Sequence, residues 1–146
     1  MLLTIDDIRV GASHTERVQF TAEKTAQFLR LSGDAAGIHT DESFSKGKGF
    51  ENLVVYGFLL SLQFSRILGM ELPGENTVIG TIDLSFHEPV YVGDTVTYTA
   101  TVRRVIKPLG AVALDLDVRK TDGTICVQGK TTCVFKGPAD PAKPEA

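Results

Sequence analysis

The feature of this sequence that most constrains its fold is the alternation of apolar and polar residues from position 77 to 136. In TVIGTIDLSFHEPV (77–90), Val78, Ile82, Leu84 and Phe86 share one parity, which is typical of a half-buried strand. The stretches 94–106, 112–118 and 125–136 read in the same way. KPLG (107–110) and TDGT (121–124) supply turn signals between them. The second half therefore predicts a long antiparallel sheet.

The first half of the sequence supplies one strand and the helices. ERVQF (16–20) predicts a strand, and Thr21 and Gly33 have the residue types that begin and end a helix over AEKTAQFLRLSG. GFLLSLQFSRILGM (57–70) has no clearly polar face and is too short to cross a bilayer, so we expect a central buried helix. The predicted fold class is α+β, an antiparallel sheet curled around one apolar helix.

Length and composition limit the organisation of the chain and its partners. The 146 residues fit one domain, expected over 1–137, with a flexible C-terminal tail over 138–146. Unpaired sheet edges favour a homodimer. A formal charge of -3 argues against a nucleic-acid partner, and no apolar run is long enough for a membrane. Cys126 and Cys133 are seven residues apart in one predicted strand, on opposite faces, which favours a reducing cytoplasm.

Two separated motifs carry a family resemblance. SGDAAGIHTD (32–41), then YGFLLSLQFSRILGMELPG and FHEPVYVGDTVT, resemble the MaoC-like hot-dog-fold family and, within it, the (R)-specific enoyl-CoA hydratases. The family motif Ser-Gly-Asp-x-Asn-Pro-Leu/Ile-His-x-Asp is matched at Ser32, Gly33, Asp34, Ile38, His39 and Asp41. A second motif, His-Gly-Met-Leu, aligns with Tyr56, Gly57, Phe58 and Leu59.

The resemblance implies syn hydration of a trans-2-enoyl thioester, carried by CoA or by acyl carrier protein, with no metal or other cofactor. It assigns Asp34 and His39 as the catalytic pair, leaving open which residue handles which proton. It also assigns the backbone amide of Gly57 to the thioester carbonyl and Ser65 to orienting the pair. The expected acyl pocket comprises Ile38, Phe50, Tyr56 and Phe58.

The departures from the family pattern keep two other functions open. Ala36-Gly37 replaces Asn-Pro and removes both a side-chain amide and a stiff residue from the loop. Tyr56 and Phe58 replace histidine and methionine, which predicts a bulkier pocket mouth and argues against ordinary short-chain specificity. The alternatives are a hot-dog acyl-CoA thioesterase and a non-catalytic module that binds acyl thioesters. The length and substituents of the acyl group stay open.

Overall fold

A computed structural model describes residues 2–137, so the tail predicted for 138–146 lies outside the described residues. The strands form one antiparallel sheet in the order β1-β3-β4-β5-β2. Their bounds are β1 (Ser13–Gln19), β2 (Thr77–Phe86), β3 (Thr95–Ile106), β4 (Ala111–Lys120) and β5 (Ile125–Phe135). Three consecutive strands pair as neighbours, which confirms the antiparallel sheet expected from the alternating pattern and the two turns.

Four helices lie between β1 and β2. They are α1 (Ala22–Ser32), α2 (Gly37–Thr40), α3 (Glu42–Gly47) and α4 (Gly57–Arg66), and a π-helical turn over Ile67–Glu71 extends α4. The expected ends of α1 are confirmed, because the Thr21 side chain accepts from the Lys24 amide at 3.3 Å and Gly33 has φ 73°. Asp41 caps α3 through the Phe44 amide at 3.0 Å. Within residues 2–137, no helix has the length and apolar character needed to cross a membrane.

The core lies between α4 and the central strands of the sheet. Apolar side chains on alternate positions of β3 and β4 are fully buried, as predicted, together with Leu60 and Phe64 of α4. Tyr98 connects the two layers: its ring meets Phe64 edge-on at 5.1 Å, and its hydroxyl donates to the Leu60 carbonyl at 2.8 Å. These contacts confirm the α+β architecture of an antiparallel sheet around an apolar helix, the hot-dog fold.

Two predictions about burial are wrong for the single chain. Helix α4 is not covered on all sides, because Phe58 is 81% exposed and Leu62 is also exposed. Strand β2 is not half-buried, since Ile82 is 42% and Phe86 53% exposed. The physical reason is position: β2 is an edge strand paired only with β5. A register shift between Ile79 and Thr81 also puts Val78 and Ile82 on opposite faces.

Candidate active site

A cavity of about 310 Å³ lies at the beginning of α4. The residues that line it come from α1, the following loop, α2, α4 and the end of β2: Phe28, Ser32, Asp34, His39, Tyr56, Gly57, Phe58 and Phe86. The structure therefore brings the predicted catalytic pair together with Gly57, although these positions come from separate segments of the chain. The lining is mostly aromatic, and its polar groups are a carboxylate, an imidazole and the hydroxyls of Ser32 and Tyr56. This combination suits a small organic substrate.

Asp34 lies in the turn that follows Gly33. One carboxylate oxygen, Oδ1, accepts from the Ala36 amide at 3.0 Å, and the Asp34 amide donates to the Ser32 hydroxyl at 3.1 Å. Asp34 thus shapes its own loop, as aspartate does in many turns. Among residues 2–137, no protein donor binds Oδ2. This second oxygen is available to a ligand in the cavity.

His39 is held on the one-turn helix α2 by a backbone carbonyl. Its Nδ1 lies 2.5 Å from the carbonyl oxygen of Val54, and the Val54 amide donates to the Ile38 carbonyl at 2.9 Å. Because a carbonyl oxygen only accepts, Nδ1 carries the proton. The neutral ring then has its lone pair on Nε2, for which the described part of the chain supplies no hydrogen-bond partner. Nε2 is therefore free to exchange a proton with a bound molecule.

Gly57 is the first residue of α4, so its amide has no acceptor inside the helix. The positive end of the helix dipole lies at the same place and favours negative charge there. A Cβ at position 57 would lie 3.2 Å from the ring of Phe86. The absence of a side chain therefore leaves room beside the amide, between the helix and the end of β2.

Tyr56 lies directly before α4 and touches both members of the predicted pair. Its hydroxyl donates to the Asp34 carbonyl oxygen at 2.7 Å, and its ring stacks on the His39 imidazole with 4.0 Å between centroids. Phe28 packs on Tyr56 at 4.6 Å. Burial, together with the negative charge of Asp34, raises the pKa of the Tyr56 phenol. The hydroxyl therefore stays protonated and remains a donor.

Three of the predicted residues do not line this cavity. Ser65 lies eight residues beyond Gly57, or about 12 Å along the helix, and lines a different depression with Leu68 and Val78. Ile38 and Phe50 are half-buried, and neither contributes to the wall of the cavity. The orienting role of Ser65 and the pocket role of Ile38 and Phe50 stay predictions.

Sequence reasoning missed four contributors to the site. Phe28, Ser32 and Phe86 line the cavity, and the Val54 carbonyl fixes the His39 tautomer. Ser32 was matched in the motif without being given a role. Phe28 and Phe86 belong to segments predicted only as helix and strand, and an aromatic residue there is more often part of a core. A backbone carbonyl has no signature in residue type, so nothing in the sequence pointed to Val54.

A second cluster of ionisable groups lies at the other end of α4. His14, Glu16 and Glu71 bring potential ligand atoms within 4.8 Å of one another. Arg66 binds both carboxylates, at 2.7 Å from Glu16 and 2.9 Å from Glu71. Burial acts to raise the pKa of Glu16, but hydrogen bonds from His14 and Gln63 and the charge of Arg66 together lower it. Both carboxylates are already paired with Arg66, and we assign no metal to this cluster.

A larger depression, of about 560 Å³, lies over β2, β4 and β5. Its wall alternates opposite charges: Lys130 pairs across the strands with both Asp83 and Asp115, and Arg103 binds Asp115 at 3.2 Å. The charges of this surface are already paired with one another. Ser85 and His87 also line it, but among residues 2–137 no hydrogen bond joins either side chain to a partner that would activate it. The smaller cavity at α4 is the stronger candidate for chemistry.

Comparisons with known proteins agree with this choice. The MaoC-like domain matches residues 9–119. The (R)-specific enoyl-CoA hydratase of Aeromonas caviae is 31% identical over 128 residues, which are 88% of this chain and 96% of the relative. The solved structure of an (R)-hydratase from A. caviae superimposes with a TM-score of 0.84, over 89% of this chain and 98% of that one. A mitochondrial 3-hydroxyacyl-[acyl-carrier-protein] dehydratase of Solanum lycopersicum is 29% identical over 88% of this chain and 78% of the relative.

Proposed function

Because the chain belongs to the MaoC-like domain family, we propose that it is an (R)-specific enoyl-CoA hydratase. It adds water reversibly to a trans-2-enoyl-CoA and forms a (3R)-hydroxyacyl-CoA. The observation that carries this proposal is the convergence of Asp34, His39 and the Gly57 backbone on one cavity. The similarity to an (R)-specific enoyl-CoA hydratase over most of both chains supports the same reaction.

In the proposed mechanism, Asp34 and His39 share the acid and base roles on one water molecule. Neither the second carboxylate oxygen of Asp34 nor Nε2 of His39 has a protein partner among residues 2–137, so both atoms are available to bind water. One O–H bond of water breaks as its oxygen bonds to C3 of the substrate, and the released proton passes to the member of the pair that acts as base. The alkene electron pair moves toward the thioester carbonyl and, on its return, C2 takes a proton from the member of the pair that acts as acid.

The Gly57 amide is proposed to stabilise the charge that builds up on the carbonyl oxygen. Negative charge develops there when the alkene pair is displaced, and a fixed donor in a water-poor site stabilises it more than water does. The N-terminal position of Gly57 on α4 supplies both an unused N–H group and the helix dipole. In this scheme the chemistry requires no metal and no redox cofactor.

The carrier of the acyl group and the cell compartment are part of the proposal. One relative is named for enoyl-CoA and another for an acyl-carrier-protein thioester, and both are thioesters. We assign CoA because the relative with the higher identity and coverage is the CoA enzyme. A cytoplasmic location is supported by the free thiols of Cys126 and Cys133, both of which are buried without a disulfide.

We further propose that two copies associate through β2. This strand is at the edge of the sheet, so one side of its backbone is unpaired, and it exposes Val78, Ile79, Ile82 and Phe86. An exposed apolar edge strand favours pairing with another strand. Two copies meeting by a twofold axis at β2 would continue the sheet across the dimer and cover these side chains.

The decisive assay follows the loss of enoyl-thioester absorbance with trans-2-enoyl-CoA substrates of several chain lengths. Wild type is compared with Asp34→Asn, and with Glu75→Gln as a matched carboxylate-to-amide change at an exposed position. We expect Asp34→Asn to lose about 10²–10⁴ in kcat, Glu75→Gln to remain active, and the product to be the (3R)-hydroxyacyl-CoA.

Each other result identifies a different function. Release of free thiol instead of a hydrated product would indicate a thioesterase. Tight binding of an enoyl-CoA without turnover would indicate a non-catalytic module. Faster reaction of the matching acyl-carrier-protein thioester would move the assignment of the carrier from CoA to that protein, with the hydration chemistry unchanged.

A further inference from the structure

Residues 32–40, called the catalytic loop below, carry Asp34 and His39. Several hydrogen bonds of this loop are internal: Ser32 to Asp34, Ala36 to Asp34, and Thr40 to the Ala35 and Ala36 carbonyls. These bonds fix the local shape of residues 32–40 but not its position relative to α4. A flexible Ala36-Gly37 pair occupies the middle of the loop, where a stiffer sequence would restrict it.

The loop begins where α1 ends, and there Ser32 Oγ donates to the Phe28 carbonyl and the Gly33 amide donates to the Leu29 carbonyl, both at 2.8 Å. Apart from these bonds to α1 and the helical bond to Asp41, hydrogen bonds to Val54 and Tyr56 connect the loop to the rest of residues 2–137. At the His39 end, Val54 binds both the imidazole and the Ile38 carbonyl. At the Asp34 end, the connection is the Tyr56 hydroxyl, which donates to the Asp34 carbonyl at 2.7 Å. The Tyr56 ring also lies flat against His39, with 27° between the planes. One side chain therefore contacts both members of the pair.

Tyr56 is itself rigidly placed. Only 2% of its surface is exposed, and it directly precedes α4, where its carbonyl accepts from the Leu60 amide at 3.0 Å. Phe28 of α1 packs on its ring from a third side. Because its phenol pKa is raised by burial and by Asp34, it keeps its proton over the whole neutral range. The hydroxyl can therefore donate to the Asp34 carbonyl throughout that range.

We propose that Tyr56 is the positioning residue of the reaction centre, holding Asp34 through its hydroxyl and His39 through its ring. This inference rests on the proposed hydratase function. It gives Tyr56 a role beyond the wall of the acyl pocket. Tyr56 directly precedes α4, which carries Gly57, and contacts both Asp34 and His39. One residue therefore fixes the relative positions of Asp34, His39 and Gly57.

Two substitutions distinguish the contact of the Tyr56 hydroxyl with Asp34 from the contact of its ring with His39. Tyr56→Phe keeps the ring and removes the hydroxyl, and we expect kcat to fall about tenfold with KM unchanged, the factor of one ordinary hydrogen bond. Tyr56→Leu removes both contacts, and we expect a loss of about a hundredfold. The matched control is Tyr98→Phe, which removes another phenol bond to a backbone carbonyl, in the core. It should lower the melting temperature and leave kcat unchanged.

A spectroscopic measurement makes the test independent of turnover. The ring current of the stacked tyrosine acts on the His39 imidazole protons, so their NMR resonances should keep their positions in Tyr56→Phe and move downfield in Tyr56→Leu. If Tyr56→Phe retains wild-type kcat while Asp34→Asn is inactive, positioning through the hydroxyl is wrong and the hydratase function stands. If wild type hydrates nothing, the function proposal fails. The positioning role fails with it. Separately, His39 resonances that do not move in Tyr56→Leu would show that the Tyr56 ring does not stack on His39.

Discussion

At the scale of single residues, the reaction centre depends on atoms more than on residue types. Asp34 uses one carboxylate oxygen to close its own turn and leaves the other for a ligand, so its structural role and its proposed chemical role coexist. His39 likewise uses Nδ1 to hold its position and leaves Nε2 free. In both side chains, the bond that orients the group also determines which atom is available.

The backbone amide of Gly57 can be deleted without disturbing the helix. Proline is favoured at the first position of a helix, and Tyr56 has φ -55° and ψ 132°, which suits a residue that precedes proline. We expect Gly57→Pro to fold and to lose about 10²–10³ in kcat, because the proposed carbonyl donor is gone. Gly57→Ala is the control, since it adds a Cβ near Phe86 and keeps the amide. Equal kcat in the two variants would assign the loss to crowding and not to the donor.

The sequence predicted Asp34, His39 and Gly57 as site residues because their types and spacing match a family motif. The partners that orient them could not be predicted in the same way. The Val54 carbonyl acts whatever side chain residue 54 carries, and the contacts of Tyr56 depend on how the loop folds back on α4. Prediction therefore reached the residues to which we assign the chemistry and stopped at the contacts that place them.

At the scale of helices and strands, features that depend on adjacent residues were predicted better than features that depend on the position of a strand in the sheet. Both ends of α1 were predicted correctly, because capping depends on a few adjacent residues. The burial of β3 was also predicted, since a strand between two others has a defined inner face. Strand β2 has equally good alternation but lies at the edge of the sheet, and strand order is not visible in its own residues.

Glu16 ties β1 to α4 through Gln63 and Arg66, and this link gives stability a pH dependence. Its folded pKa lies below the unfolded value of about 4.3. The stabilisation is therefore complete above that value and is lost as the pH falls through the folded pKa. In urea unfolding, we expect Glu16→Gln to cost about 1 kcal/mol at pH 7 and progressively less below about pH 4. Glu75→Gln should show no such trend, and a penalty of Glu16→Gln that stays constant down to pH 3 would contradict the assignment.

Phe28 separates two cavities along the contact between α1 and α4. The reaction cavity of about 310 Å³ lies on one side, and a groove of about 290 Å³ that includes Leu59 and Leu62 lies on the other. We expect Phe28→Ala to join them and raise kcat/KM for longer acyl chains by about fourfold for each newly buried methylene. Arg30→Ala, an exposed change on the same helix at a residue that lines neither cavity, should keep the wild-type preference. A chain-length profile of Phe28→Ala that matches wild type would show that the acyl chain does not run toward this groove.

At the scale of the whole molecule, one edge of the sheet is left incomplete. The β1 edge lies at the opposite end of the sheet and alternates exposed and half-buried positions along its length. The β2 edge has no such balance, because most of its residues on both faces are exposed, including large apolar ones. The two edges are therefore unequal, and the β2 edge is the one that gains most from a partner.

The proposed dimer predicts that a single charge on β2 separates the copies. Ile82 is already 42% exposed in one chain, so Ile82→Lys should leave the fold intact while burying an unpaired ammonium in any β2–β2 interface. Light scattering after size exclusion should give a dimer mass for wild type and a monomer mass for Ile82→Lys. The matched control is Leu109→Lys, because Leu109 is 70% exposed and lies in the turn between β3 and β4. It should remain dimeric. A monomeric wild type, or an Ile82→Lys variant that stays dimeric, would exclude β2 as the interface and leave its apolar residues without a partner strand.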